Sequence, residues 1–222
     1  MSDQFAFYEC LQSLCRFRFP AQVRGINSCP LCGQSIRQAT PALTAEFATT
    51  ADPSPTVPLH LMLDNIRSLH NVGSIFRTAD GAGVAHLYLC GITPTPDNPR
   101  LAKTSLGAEN SVPWSYHRNG VETAVLLQQS GHQLWAMERT SDSRPLFQSP
   151  PLATDRPVVL VLGNEKAGVD PGLLALCEQT VHLPMAGIKQ SLNVAVVAGT
   201  AVYHLLYADK TGGVFSISRS LP

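Results

Sequence analysis

The stretch from Leu160 to Val202 constrains this chain more than any other. Val158 to Leu162 is an unbroken aliphatic run, the pattern of a strand covered on both faces. It stops at Gly163, with a carboxylate, Glu165, two residues on. Further along, Val181-His182-Leu183 is a second apolar strand end, closed by Pro184. A loop follows from Met185 to Gln190, and Ser191-Leu192-Asn193 opens an apolar helix. Two strand ends, each followed by a glycine-containing loop, make a crevice at the carboxyl edge of a parallel sheet. Open α/β sheets bind their ligands there.

The preceding residues supply the rest of such a sheet. Leu59 to Leu63 reads as a strand and Asp64 to His70 as a loop. Asn71 to Gly83 reads as a helix, with Asn71 as N-cap, an apolar stripe of Val72, Ile75, Phe76 and Ala79, and Gly83 at its end. Ala85 to Cys90 is the next strand. A strand, a helix and a strand in succession imply parallel pairing and a right-handed crossover. A short helix (99–107, with Lys103), a strand (112–116), an amphipathic helix (119–129) and a strand (133–137) follow. After them come a proline-rich loop (141–157), a helix from Asp170-Pro171 through Cys177, and a closing helix from 192 to about 207. The expected fold class is α/β: a mostly parallel sheet flanked by helices over residues 57–209, with a polar tail at 210–222.

Residues 1–38 form a separate unit. Cys10 and Cys15 make one pair, and Cys29-Pro30-Leu31-Cys32-Gly33 makes a tighter one. Thiolate pairs at such spacing suit tetrahedral zinc, so Cys10, Cys15, Cys29 and Cys32 are candidate metal ligands in a small zinc ribbon. Buried free thiols are the alternative. A segment with so few aliphatics needs a staple to fold. The unit also carries Arg16-Phe17-Arg18-Phe19, which as a strand would show cations on one face and rings on the other. These groups could meet RNA phosphates and bases; equally, the rings could be the ribbon's core and the arginines solvated. Residues 39–56, rich in Ala, Thr and Pro, read as a linker.

The formal net charge is zero, so RNA binding would need a local patch, with Arg16, Arg18, Arg67 and Lys103 as candidates. There is no apolar run long enough to span a membrane and no signal-peptide pattern at Met1-Ser2-Asp3-Gln4. A cytoplasmic, reducing setting is expected, in which cysteines hold metal rather than form disulfides. The seven histidines are scattered without metal spacing and read as structural.

The crevice offers backbone groups from Gly163-Asn164 and from Leu183 to Gly187, and apolar walls from Leu183, Met185, Ile188 and Leu192. That combination suits a flat heterocycle. The chain contains neither the phosphate-binding loop nor the dinucleotide fingerprint, and no nucleophile–base pair typical of a hydrolase. Asn71, Arg77, Glu165, Ser191 and Asn193 form a polar set near the strand ends. Taken singly, Asn71 and Ser191 could be helix caps, and Arg77 and Glu165 an exposed ion pair.

Three segments, N71-V-G-S-I-F-R77-T-A-D-G-A-G83, L162-G-N-E165-K-A-G168 and L183-P-M-A-G-I-K-Q-S191-L-N193-V, resemble in content and order the motifs of the SpoU/TrmH family of RNA ribose 2′-O-methyltransferases, within the SPOUT superfamily. The resemblance implies a C-terminal trefoil knot, bound S-adenosylmethionine, a homodimer, and a tRNA or rRNA substrate. It further implies cofactor contacts from Gly163, Leu183, Met185 and Leu192. Arg77 would be the principal catalytic residue, with Asn71, Glu165, Ser191 and Asn193 shaping the site. A non-catalytic RNA-binding protein that keeps the fold is the alternative reading. Residues 1–56 lie outside the resemblance.

Overall fold

The aliphatic run Val158–Leu162 is wholly buried because it becomes the central strand, β9, of a seven-stranded parallel sheet. In the computed structural model, which describes residues 5–42, 57–149, 152 and 156–208, the chain forms two units, Met1–Asp52 and Pro53–Pro222.

The larger unit contains β4 (Leu59–Asp64), α1 (Leu69–Ala82), β5 (His86–Cys90), α2 (Ala102–Ser105), β6 (Trp114–His117), α3 (Gly120–Gln129), β7 (Gln133–Met137), β8 (Arg144–Pro145), β9, α4 (Pro171–Leu174), β10 (Gln179–His182) and α5 (Val194–Tyr207). The sheet order is β6-β5-β4-β9-β7-β10-β8, and every adjacent pair is parallel. All strand carboxyl ends therefore lie along one edge. Strand β9 enters between β4 and β7, where the strand order reverses, and this is the switch point at which such sheets open a crevice.

Side chains alternate between two cores. Leu59, Leu61 and Leu63 join Leu160 and Leu162 under α1 and α5, while Met62, Val159 and Val161 face α3 and α4. Helices α1 and α5 meet closely at Gly199, where an added Cβ would stand 3.8 Å from Thr78 Oγ1. The Tyr207 hydroxyl donates to the Ala82 carbonyl at 3.1 Å. No helix among the described residues is long and apolar enough to cross a membrane.

Several local expectations need correction. Helix α1 starts earlier than expected: Ser68 is its N-cap and accepts from the Asn71 amide at 3.3 Å, so Asn71 lies inside the first turn. Helix α5 begins at Val194 with Asn193 as N-cap, because the Asn193 side chain accepts the Ala195 N–H; Ser191 caps nothing. Helix α4 ends at Leu174 rather than at Cys177. The loop at 141–157 contains β8, whose Pro145 is tolerated because it sits on the sheet's edge.

The smaller unit is an antiparallel sheet in the order β2-β1-β3, with β1 (Phe5–Cys10), β2 (Arg18–Gln22) and β3 (Ile36–Pro41). Strand β1 is absent from the sequence reading. Strand β3 takes in the first residues assigned to the linker; the remaining linker residues from 43 on and the tail at 210–222 lie outside the described residues. The core is small: Ala6, Tyr8 and Phe19, with Ala21, Ile26 and Ile36 packed against them.

Histidines scattered in the sequence meet on the α3 side of the large sheet. The His60 ring lies 5.0 Å from His132 and 5.9 Å from Tyr88 between centroids. Burial first, then the rings of His132 and His86, push His60 down to about 4. His60 is thus neutral in the folded state, whereas in the unfolded chain it protonates near about pH 6.5. Between those values the unfolded state binds more protons, so stability falls as pH falls through this window. Urea midpoints are expected to decrease from about pH 6.5 toward 4, and less steeply in His60→Gln.

Candidate active site

The loop after β9 is built to hold one carboxylate in place. A Cβ on Gly163 would stand 2.3 Å from backbone atoms of Gly168 and Val169, so a side chain cannot occupy this position without displacing the loop. Asn164 and Gly168 exchange two backbone hydrogen bonds of 2.9 Å. Asn164 Oδ1 accepts from the amides of Lys166 and Ala167, and Asn164 Nδ2 donates to the Asn65 carbonyl at 2.6 Å. Gly168 has φ +77, available to glycine at no steric cost. Its neighbour Val169 donates to Glu138 Oε2 at 3.0 Å. Glu138, at the end of β7, therefore braces the loop from the far side, a role that its sequence context does not reveal.

The loop presents Glu165 to the start of α1. Glu165 Oε2 accepts from the Arg67 amide at 2.9 Å. Oε1 accepts from the Ser68 amide and from Asn71 Nδ2, both at 3.0 Å. Burial raises the Glu165 pKa, but the amides of Arg67, Glu165 itself and Ser68, with the Asn71 side chain, outweigh it and hold the carboxyl below its ordinary range. Glu165 is therefore an ionised acceptor. It is not the ion-pair partner of Arg77.

Asn71 continues the chain of bonds. Its Oδ1 accepts from Asn193 Nδ2 at 3.0 Å, and Asn193 Oδ1 accepts from Ala195 N–H at 2.8 Å. The orientation of both amides is dictated from the two ends. A carboxylate can only accept, and a backbone N–H can only donate. Asn71 thus ties into one polar relay two segments that each lie more than ninety residues further along the chain.

Around the relay lies a cleft of about 1120 Å³, lined by Gly163, Leu183, Met185 and Leu192 together with Asn71, Glu165, Ser191 and Asn193. Its size and mixed walls suit a small organic ligand. The loop from Met185 to Leu192 makes no backbone hydrogen bond among the described residues, so its amides and carbonyls are open to a ligand. Eight of the nine non-metal residues singled out from the sequence therefore line one cavity. Arg77 does not: it is exposed on α1, six residues beyond Asn71, outside the cleft wall. Ile188, expected in the wall, is 98% exposed and is not among the lining residues. Arg67, Arg139 and Lys166 bring positive charge to the rim; of these, only Arg67 figured in the expected patch.

The cysteines of the smaller unit converge. The sulfurs of Cys10, Cys15, Cys29 and Cys32 all lie within 4.8 Å of one another. Cys10 and Cys32 are 3.4 Å apart, and Cys15 and Cys29 are 3.9 Å apart. A tetrahedral zinc with Zn–S bonds of about 2.3 Å requires S···S edges of about 3.8 Å, close to the 3.4 and 3.9 Å of these two pairs. Without a metal the thiols diverge: burial pushes Cys10 up to about 12, whereas at Cys29 burial is outweighed by the amides of Cys32 and Leu31, which bring the thiol to about 7. Gly33, at φ +73, turns the chain so that its amide reaches the Cys29 carbonyl at 2.8 Å.

Residues 58–203 match the family model described as the SpoU rRNA Methylase family. The 23S rRNA (guanosine-2′-O-)-methyltransferase RlmB of Pseudomonas aeruginosa is 34% identical over 154 residues, 69% of this chain and 60% of that protein. The chain thus spans less than two thirds of that relative. The tRNA (guanosine(18)-2′-O)-methyltransferase of Thermus thermophilus is 29% identical over 164 residues, 74% of this chain and 82% of that one. Among solved structures, the AdoMet-bound rRNA methyltransferase from Sinorhizobium meliloti is similar with a TM-score of 0.62 at 28% identity, over 70% of this chain and 58% of that chain.

The relay's fixed direction is directly testable. Asn71→Asp keeps the side chain's shape but sets an acceptor against Glu165. It is expected to cost about 2 kcal/mol or more in urea denaturation at neutral pH. Lowering the pH should recover part of that loss as the carboxylate pair takes up a proton.

Proposed function

The chain belongs to the SpoU rRNA methylase family, and from that premise we propose that it is a cytoplasmic enzyme that methylates a ribose 2′-hydroxyl of tRNA or rRNA, using S-adenosylmethionine. The observation that carries this reading is the relay of Asn71, Glu165 and Asn193 at the mouth of an open cleft with apolar walls. The cleft fits the cofactor: Leu183, Met185 and Leu192 would cover its faces, while backbone groups near Gly163 and Met185 would hold its edges. When bound, S-adenosylmethionine supplies a sulfonium methyl carbon that is already electrophilic.

What remains for the protein is to make the ribose hydroxyl nucleophilic and to aim it. Glu165 is committed to three donors, so it positions Asn71 and the start of α1 rather than accepting the substrate's proton. Ser191 and Asn193 flank the space in which the ribose would lie. Arg77 keeps its charge in nearly every setting, and a guanidinium beside the developing alkoxide or its phosphate lowers the barrier electrostatically. Positioning of the hydroxyl in line with the methyl group supplies the rest.

Arg77 lies outside the cleft of its own chain, and this favours a homodimer in which it serves the partner's cleft. Val196, Tyr203 and Tyr207, seven and then four residues apart on α5, are exposed on the helix packed against α1 and offer an apolar surface for that pairing. The trefoil knot implied by family membership is part of the same proposal. Arg77→Ala and Glu165→Ala are each expected to abolish methyl transfer from labelled S-adenosylmethionine to tRNA or rRNA. Mixing the two after dissociation should restore roughly a quarter of wild-type activity, because half the dimers are mixed and each then has one intact site. No recovery would place Arg77 in its own chain's site. No transfer by the wild type, together with no cofactor binding, would favour a non-catalytic RNA-binding protein.

We also propose that Cys10, Cys15, Cys29 and Cys32 hold a structural zinc, because the core of Ala6, Tyr8 and Phe19 is too small to order the unit unaided. The purified protein is expected to carry zinc in a one-to-one ratio by elemental analysis. Cys29→Ser should lose the metal and unfold the smaller unit without altering cofactor affinity.

A further inference from the structure

The family match begins at residue 58 and so leaves the N-terminal unit without a role. Its sheet has two faces. Ala6, Tyr8 and Cys10 of β1 turn inward with Phe19 of β2. Phe5, Phe7 and Glu9 turn outward, and both rings are well exposed, Phe5 at 48% and Phe7 at 38%. A unit so short of core would gain by burying two phenylalanines, yet it holds them on its open face. Phe19, from the Arg-Phe repeat of the sequence, is instead a core residue, and Phe17 stacks on it at 5.5 Å between centroids.

The register sets cations beside those outward rings. Arg18 on β2 and Arg37 on β3 both stand opposite Glu9, while Pro20 and Thr40 stand opposite Phe7. Residues directly opposite one another share a face. Arg37 and Arg16 share the Glu9 carboxylate, at 3.1 and 3.3 Å, and both guanidinium groups remain largely in solvent. Arg18 crosses over β1 to reach Thr40 Oγ1 at 3.2 Å, which brings its side chain to the row that holds Phe7. Across residues 5–42 the four arginines Arg16, Arg18, Arg24 and Arg37 face a single carboxylate, Glu9. The face is therefore a pair of rings followed by a bank of cations.

Alternate residues on one face of a strand lie about 6.8 Å apart. Two rings at that spacing leave room for a base between them, or for successive bases on each. Guanidinium groups one step further along the strand are placed for the phosphates of the same strand. Aromatic rings on an open sheet combined with basic side chains suit unpaired nucleotides, whose faces are free to stack, better than a duplex, whose bases are covered.

We infer that the face formed by Phe5, Phe7, Arg18 and Arg37 is a stacking platform for unpaired nucleotides of the RNA substrate. The inference rests on the proposed RNA methyltransferase activity and names the surface outside the family domain that recognises the substrate. It commits to single-stranded RNA because the rings and the guanidinium groups share one face in register, so that stacking and phosphate contacts can be made by the same strand.

The test uses the full, metal-loaded chain and a labelled, unstructured oligoribonucleotide, with a blunt RNA duplex for comparison. Affinity is read by fluorescence anisotropy, zinc content serves as the check on folding, and methyl transfer to tRNA and rRNA is measured in parallel. The wild type should prefer the single strand. Phe5→Leu/Phe7→Leu keeps apolar side chains but removes the flat rings, and should weaken single-strand binding roughly tenfold or more, the effect of losing a stacked base. Phe5→Tyr/Phe7→Tyr keeps the rings and should bind as the wild type does. Arg18→Gln/Arg37→Gln should weaken binding and flatten its dependence on salt. All three variants should bind S-adenosylmethionine normally. If the Leu and Tyr variants bind the oligoribonucleotide alike while the wild type methylates RNA, the platform is overturned and the methyltransferase reading stands; a protein partner then becomes the occupant of this face. If the wild type does not bind the single strand, the platform is equally overturned. If the wild type binds the single strand through these rings yet methylates neither pool and binds no S-adenosylmethionine, the platform stands and the methyltransferase reading falls.

Discussion

The side-chain amide of Asn71 is the one group through which the parts of the site communicate. Its nitrogen donates to Glu165, on the loop after the central strand, and its oxygen accepts from Asn193, the cap of the last helix. Neither bond can reverse, because the relay ends in a carboxylate on one side and a backbone N–H on the other. A polar network in which every member is satisfied holds one arrangement against others. Here the arrangement fixes the mutual positions of α1, the Glu165 loop and the start of α5, and so fixes the mouth of the cleft.

Other features of the large unit are arranged so that this relay can form. The Glu165 loop folds tightly against Gly163, where a side chain would collide with backbone, and Glu138 braces its far side through the Val169 amide. Ser68 takes over the capping of α1, which frees the Asn71 side chain for tertiary bonds. The loop from Met185 to Leu192 is left without backbone partners of its own. Rigid polar groups thus face an adaptable wall, an arrangement suited to a site that must hold a cofactor firmly and admit a large substrate. Arg77 stands apart from this arrangement, exposed on α1 and outside the cleft wall.

Much of this was legible in the residues. The aliphatic run of β9 announced a buried strand, and the repeated succession of strand and helix announced a parallel sheet. The three motifs marked Asn71, Glu165, Ser191 and Asn193, which the structure gathers into one cavity. The cysteine spacing marked four candidate metal ligands, and their sulfurs converge. The misses share a physical cause. Asn71 and Ser68 are both good caps, and local propensity cannot tell which of them a distant carboxylate will claim. Glu138 has no local signature because the partner it holds, Val169, is far along the chain. The Arg-Phe repeat left open whether its rings face outward or form the core; strand pairing put Phe19 in the core, kept Phe17 partly exposed, and set Phe5 and Phe7 on the outer face.

By itself the sequence determined most of the strands and helices of the large unit, which polar residues are candidates for the chemistry, and that the first residues form a unit apart. Hydrophobic periodicity, cap residues and ligand spacing are local properties, and local properties survive in a one-dimensional record. Only the tertiary structure decided that β9 lies between β4 and β7, that Glu165 spends its charge on amides rather than on Arg77, that the histidines meet, and which face of the small sheet shows its rings. Each of these depends on pairing between segments distant in the chain. That choice is made by the packing of the whole core, and no short window of residues encodes it.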